Sequence, residues 1–128
     1  MERDWQKIGF WTLRLGLALT YLYSGFDLIL HPTAWTVYLP LWFKELLPFA
    51  PTLYLQIQGA AELLFALSFL TGFQIRWAGL LAAFEMAMIL LFYGLDGISF
   101  RDIAILGAAL SIFFFTLAPR QNGERRPV

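Results

Sequence analysis

Three ionisable side chains stand inside long apolar stretches of this chain: Arg14, Glu62 and Glu85. Glu62 lies in "LQIQGAAELLFALSFL" and Glu85 in "LLAAFEMAMILL". A carboxylate at the centre of a bilayer costs about 2.5–3.5 kcal/mol on insertion scales. Such a group is therefore paired, or it holds a proton. Arg14 is the only cation at a suitable depth, and one arginine can neutralise one of two glutamates. The expected arrangement is a bidentate Arg14–Glu62 pair, with Tyr21 or Gln58 adding hydrogen bonds. Glu85 is then the proton-binding member, or shares a proton with Glu62. Two readings stay open. The buried polar cluster of Arg14, Tyr21, Gln58, Glu62 and Glu85 either fixes helix register as packing glue, or it handles a proton, an electron carrier or a small ligand.

The elements that must carry these residues follow from composition. Of 128 residues, 59% are hydrophobic and 14% charged, with a formal net charge of zero. A soluble domain carries about 25% charged residues. Charges gather at the ends (Arg3, Asp4 and Lys7; Arg120, Glu124, Arg125 and Arg126) and are isolated between them. This is the pattern of an integral membrane protein, and nothing in it points to nucleic acid. Four apolar segments, near 8–30, 52–71, 75–94 and 101–118, each approach the ~20 residues that cross ~30 Å of hydrocarbon. Backbone groups in hydrocarbon must bond internally, so each segment is a helix. The expected fold is all-α: a single integral membrane antiparallel four-helix bundle over 1–118, with 119–128 a short cytoplasmic tail that three arginines draw to anionic lipid. The first segment is longer than a signal peptide, contains Arg14 and lacks a small-x-small cleavage site.

Short links join helices two and three ("TGFQIRW", Gly72 a C-cap) and helices three and four ("YGLDGISFRD", Ser99 or Asp102 a cap). They make antiparallel neighbours. The first connection, "HPTAWTVYLPLWFKELLPFAP", holds Pro32, Pro40, Pro48 and Pro51. It is too broken to span and too apolar for water. Trp35, Tyr38 and Trp42 place it as a long segment in the membrane interface. Arg3, Lys7, Arg76, Arg120, Arg125 and Arg126 fall on one side of the bundle, and only Lys44 and Arg101 on the other. The positive-inside rule then places both termini in the cytoplasm of a multi-pass cell (inner) membrane protein.

Depth and face can be read from the helical repeat. Glu62 lies about 15 Å into helix two, and Glu85 is at a similar depth on helix three. Arg14 is about 9 Å above the cytoplasmic edge. Arg14, Ala18, Tyr21 and Gly25 share one stripe of helix one; Gln58, Gly59, Glu62 and Ala66 share one of helix two; Ala78, Ala82, Glu85 and Met88 share one of helix three. On helix four the small face is Ala104, Gly107 and Ser111. Small residues on these stripes let helices approach until polar groups meet. At the outer end, Asp27 is expected to reach headgroups or a neighbouring subunit, and Arg101 and Asp102 to serve the start of helix four, where an acid suits the helix N-terminus.

Chemistry is limited by what is missing from the sequence. There is no cysteine, so disulfides and thiol redox chemistry are excluded. The one histidine, His31, cannot form a metal site without carboxylates, and no metal site is expected.

Several stretches together resemble the DoxX family of small four-helix membrane proteins. They are "LRLGLALTYLYSGFDLILHP", "GAAELLFALSFLTGF" and "FRDIAILGAAL". The matching positions are Arg14 with Gly16, Ser24 with Gly25, Gly59 with Glu62, and Asp102. Family members often carry a lysine just after the helix-one glycine; here Phe26 and Asp27 follow it, so no role for that lysine carries over. The resemblance implies a four-helix bundle tied to membrane redox systems, including the DoxD-type subunit of thiosulfate:quinone oxidoreductase. Other relatives use cysteines, which this chain lacks.

Three functions follow as expectations. The first is an accessory or anchor subunit of a membrane complex with redox chemistry, not catalytic alone, docking other subunits by its aromatic outer segment. The second is a quinone-interacting subunit, with a pocket of Tyr21, Gln58 and Glu62 and a proton from Glu85. It holds no intrinsic cofactor; quinone is the candidate ligand, and electrons enter from a partner. The third is a small proton-coupled transporter.

Overall fold

A computed structural model describes residues 2–94 and 99–117. Among the described residues all regular structure is helical. The long helices are α1 (Glu2–Leu30), α4 (Pro51–Thr71), α5 (Ile75–Tyr93) and α6 (Arg101–Leu117). Between α1 and α4 the chain forms α2 (Pro32–Trp35), a 3₁₀ turn (Thr36–Tyr38) and α3 (Leu41–Leu46). The expected C-terminal tail lies outside the described residues.

Three helices, Asp4–Leu30, Pro51–Thr71 and Ile75–Phe92, are long and apolar enough to cross a membrane. The 17-residue α6 is shorter. α1 begins six residues before the expected start, because a helix can run past its apolar part into a polar first turn that carries Glu2 and Asp4. Pro51 opens α4 at a position where no amide partner is needed. Gly72 closes α4 in the left-handed conformation (φ 83°), and its amide donates to the Ser68 carbonyl at 2.8 Å.

The long helices pack most closely as two pairs, α1 with α4 and α5 with α6. In the first pair Gly25 and Gly59 bring the two backbones together. A Cβ on Gly25 would lie 2.8 Å from the Gly59 carbonyl oxygen, and one on Gly59 would lie 2.7 Å from the Gly25 oxygen. In the second pair Gly79 has the same role: its Cβ would lie 3.0 Å from the Ala109 oxygen. The pairs meet through Tyr21, Phe69, Ala82, Met86 and Ile112 in one buried core. Tyr21 stands edge-on to Phe65 at 5.6 Å.

One face is corrected. Ala104, Gly107 and Ser111 do not face the bundle: all three are exposed, and a Cβ on Gly107 would meet nothing within 4 Å. α6 turns Ala109 and Ile112 inward instead. Ala109 packs where Gly79 leaves room, and that constraint sets the rotation of α6.

The proline-rich connection is a set of short helical turns, broken at Leu39–Pro40 and at Leu47–Ala50. Leu39 buries against Leu28 and Leu55 in a small second core, with Trp35, Phe43 and Tyr54 around it. Leu41, Trp42, Leu46 and Phe49 remain exposed.

Candidate functional site

The polar side chains divide into two groups at different levels. Arg14 belongs to the level of the α4 C-terminus. Its Nε donates to the Phe69 carbonyl at 2.7 Å and its Nη2 to the Leu70 carbonyl at 3.1 Å. The guanidinium lies 3.9 Å over the Trp11 ring and is fully buried. The expected Arg14–Glu62 pair is therefore not formed. The physical reason is local. The last carbonyls of a helix have no intrahelical donors and carry the negative end of its dipole. They meet Arg14 about 10 Å along α4 from Glu62. Arg76 repeats the arrangement on α6, donating to the Thr116 carbonyl at 2.9 Å and to its Oγ1 at 3.2 Å. From the sequence alone, Arg76 serves only as a charge that sets the direction of the helices. The signal in the sequence is its level, in the first turn of α5 and opposite the end of α6.

The second group is the centre itself. Glu62 of α4 is 2% exposed. Its Oε1 accepts from Gln58 Nε2 at 3.4 Å. Ser24 of α1 and Glu85 of α5 lie beside the same carboxyl, and Gln58 also reaches Glu85. Thus Gln58, Glu62 and Glu85 come together, and Ser24 joins them. Tyr21 lies one level further in, its hydroxyl 3.5 Å from the Ala82 carbonyl. Arg14 is separate. Ser24 was absent from the expected cluster, although it stands one residue before the close-approach glycine, Gly25. Glu62 Oε2 and Glu85 Oε1 are buried without a hydrogen-bond donor. A carboxyl group donates only when protonated, so two adjoining carboxyls satisfy each other only through a proton between them.

Two cavities meet at this centre. The larger, about 880 Å³, runs from Trp35, Tyr38 and Arg101 at the loop end, past Asp27 and Asp102, to Ser24, Gln58 and Glu62. The smaller, about 380 Å³, is an aromatic groove between α3, α4 and α5. Trp42, Phe43, Tyr54, Phe84 and Phe92 line it, and Gln58 and Glu85 end it. Tyr21, Gln58 and Glu62 border one cavity, whereas Glu85 opens onto the other.

Asp27, expected to reach out to headgroups or another subunit, is engaged within the chain. Trp35 Nε1 donates to Asp27 Oδ2 at 2.7 Å, and His31 Nδ1 lies 3.2 Å from Oδ1. Arg101 and Asp102 form the first turn of α6, where the Asp102 amide donates to the Ser99 carbonyl at 2.9 Å. Tyr38 stacks at a tilt on Trp35 at 5.5 Å, and Trp42 on Phe92 at 5.4 Å.

Apolar helices in two tight pairs, with a carboxyl centre in the seam, describe a small helical protein built to hold polar groups inside an apolar body. The chain belongs to the DoxX family, whose model matches residues 9–94, from α1 through α5. Searches of curated proteins and of solved structures give no match.

Proposed function

We propose that the chain is an integral membrane protein whose four long helices all cross the bilayer, with both termini cytoplasmic, and that it serves as an accessory subunit of a membrane redox complex. Within that complex its task is to hold a lipid-soluble, ring-bearing electron carrier of the quinone type. The observation that carries this reading is the aromatic groove ending on Gln58 and Glu85. Aromatic walls suit a flat ring, and the offset or edge-on contacts they offer are each worth about 0.5–1.5 kcal/mol. The buried Glu85 Oε1 and the Gln58 amide are the polar groups that a ring oxygen would meet. A quinone supplies chemistry in which electrons and protons are taken up together. The chain itself would bind the ring, keep water from it and offer a carboxyl at its polar edge. Membership of the DoxX family supports the membrane setting.

A photoreactive short-chain quinone, added to the full chain in lipid nanodiscs, tests this. Cross-links on Trp42–Tyr54 and Phe84–Phe92, lost on competition with unlabelled quinone, are expected. Labelling that competition does not reduce would reject the reading. Co-purification from native membranes should also recover a partner chain with its own electron-carrying group.

A further inference from the structure

The two cavities share Gln58 and Ile89 in their walls. Glu62 borders the larger and Glu85 the smaller, and Gln58 borders both. Each of the two carboxyls keeps one buried oxygen without a hydrogen-bond partner, and the two carboxyls adjoin. We infer that the larger cavity is a water-filled half-channel from the loop end, and that Glu62 and Glu85 relay a proton from it into the aromatic groove. This goes beyond the accessory reading and does not depend on a quinone being the occupant of the groove.

Size and wall chemistry support it. A liquid water molecule takes up about 30 Å³ and needs two to four polar partners to be held. The larger cavity has room for many such molecules, and Asp27, Ser99, Asp102, Ser24, Gln58 and Glu62 supply polar groups along its length. The groove offers Gln58, Glu85 and the Tyr54 hydroxyl among aromatic and aliphatic walls. The larger cavity carries the more polar wall, and the groove is mainly apolar. The other titratable and charged groups in the cavity walls are Tyr21, Tyr23 and Asp27 from α1, Tyr38 from the 3₁₀ turn, Tyr54 from α4, and Arg101 and Asp102 from α6.

The transfer balances without electrons. A hydronium ion in the cavity gives its proton to Glu62 Oε2 and is left as water. An O–H bond on Glu62 then breaks as one forms on Glu85. The proton leaves Glu85 for an oxygen base, a carbonyl or oxyanion, on the molecule that occupies the groove. Gln58 accompanies both carboxyls and orients them by donating its amide hydrogens; it carries no proton itself.

The chain has no cysteine, so single cysteines report water access without background. Ser24→Cys and Ile105→Cys line the half-channel, and Ala61→Cys lines the groove. In nanodiscs or sealed vesicles, a charged, membrane-impermeant thiol reagent should modify the first two from the loop side alone. Ala61→Cys should react only with a lipid-soluble maleimide. Failure of both half-channel positions to react, or equal reaction at Ala61→Cys, overturns the half-channel. For the relay, infrared spectra of the carboxyl O–H bands, assigned by Glu85→Gln, should show deuterium entering Glu85 quickly in the parent chain. That exchange should be lost in Glu62→Gln and in Ser24→Cys blocked by the bulky reagent. Undiminished exchange at Glu85 in both overturns the relay. Neither measurement uses a quinone, so a failed relay and a failed ligand reading are told apart.

Discussion

Arg14 Nε donates to the carbonyl of Phe69 at 2.7 Å, across 55 residues of sequence. A buried cation thereby closes the end of a different helix. With the second bond to Leu70, the guanidinium holds α1 and α4 in register at the terminal end of the bundle.

Replacing Arg14 should therefore cost stability. Arg14→Gln loses two charge-assisted bonds and the contact with Trp11, and should destabilise by about 2–4 kcal/mol. Arg14→Lys keeps the charge but not the planar fork, so it should recover only part of that. Thermal unfolding in detergent, followed by circular dichroism, gives the order parent, Lys, Gln.

The Gly25–Gly59 contact gives a prediction with its own control. Gly59→Ala puts a methyl 2.7 Å from a backbone oxygen, which must move. Overpacking of this kind should destabilise by about 1–3 kcal/mol. Gly107→Ala meets nothing within 4 Å and should stabilise by up to about 1 kcal/mol through helix propensity. Opposite shifts in melting temperature are expected for the two.

Trp35→Phe removes the donor to Asp27 while keeping an aromatic ring near Tyr38. The segment 31–46 should loosen locally by about 1–2 kcal/mol. Hydrogen–deuterium exchange should rise across α2 and the 3₁₀ turn and stay unchanged in α5.

A fourth test separates packing from function at the centre. Replacing a buried polar pair by apolar side chains of similar volume is often neutral or stabilising by about 1–2 kcal/mol. The double variant Glu62→Leu/Glu85→Leu should melt no lower than the parent, yet lose carboxyl exchange and photoreactive quinone labelling. A large fall in melting temperature would show instead that the centre holds the fold together.

Much of this architecture can be read directly from residue order. Depth follows from helix starts and a fixed rise, so Glu62 and Glu85 fall at one level without any structure. The buried stripes of α1, α4 and α5 follow from a 100° repeat. The partner of Arg14 does not, because charge pairing favours the nearest acid while the true acceptors are backbone carbonyls, which every sequence has and none displays. The rotation of α6 is equally hidden. Ala104, Gly107, Ala108, Ala109 and Ser111 put small residues around most of that helix, and only the space left by Gly79 decides which of them turn inward. Cavities depend on how far the two helix pairs stand apart, a distance that no single stripe records.

Tight packing within each pair has a mechanical consequence. α1 with α4, and α5 with α6, approach to backbone contact at Gly25–Gly59 and Gly79–Ala109, so sliding within a pair meets more resistance than sliding between the pairs. Glu62 belongs to the first pair and Glu85 to the second. A slide or tilt along the seam would therefore change the gap between the two carboxyls.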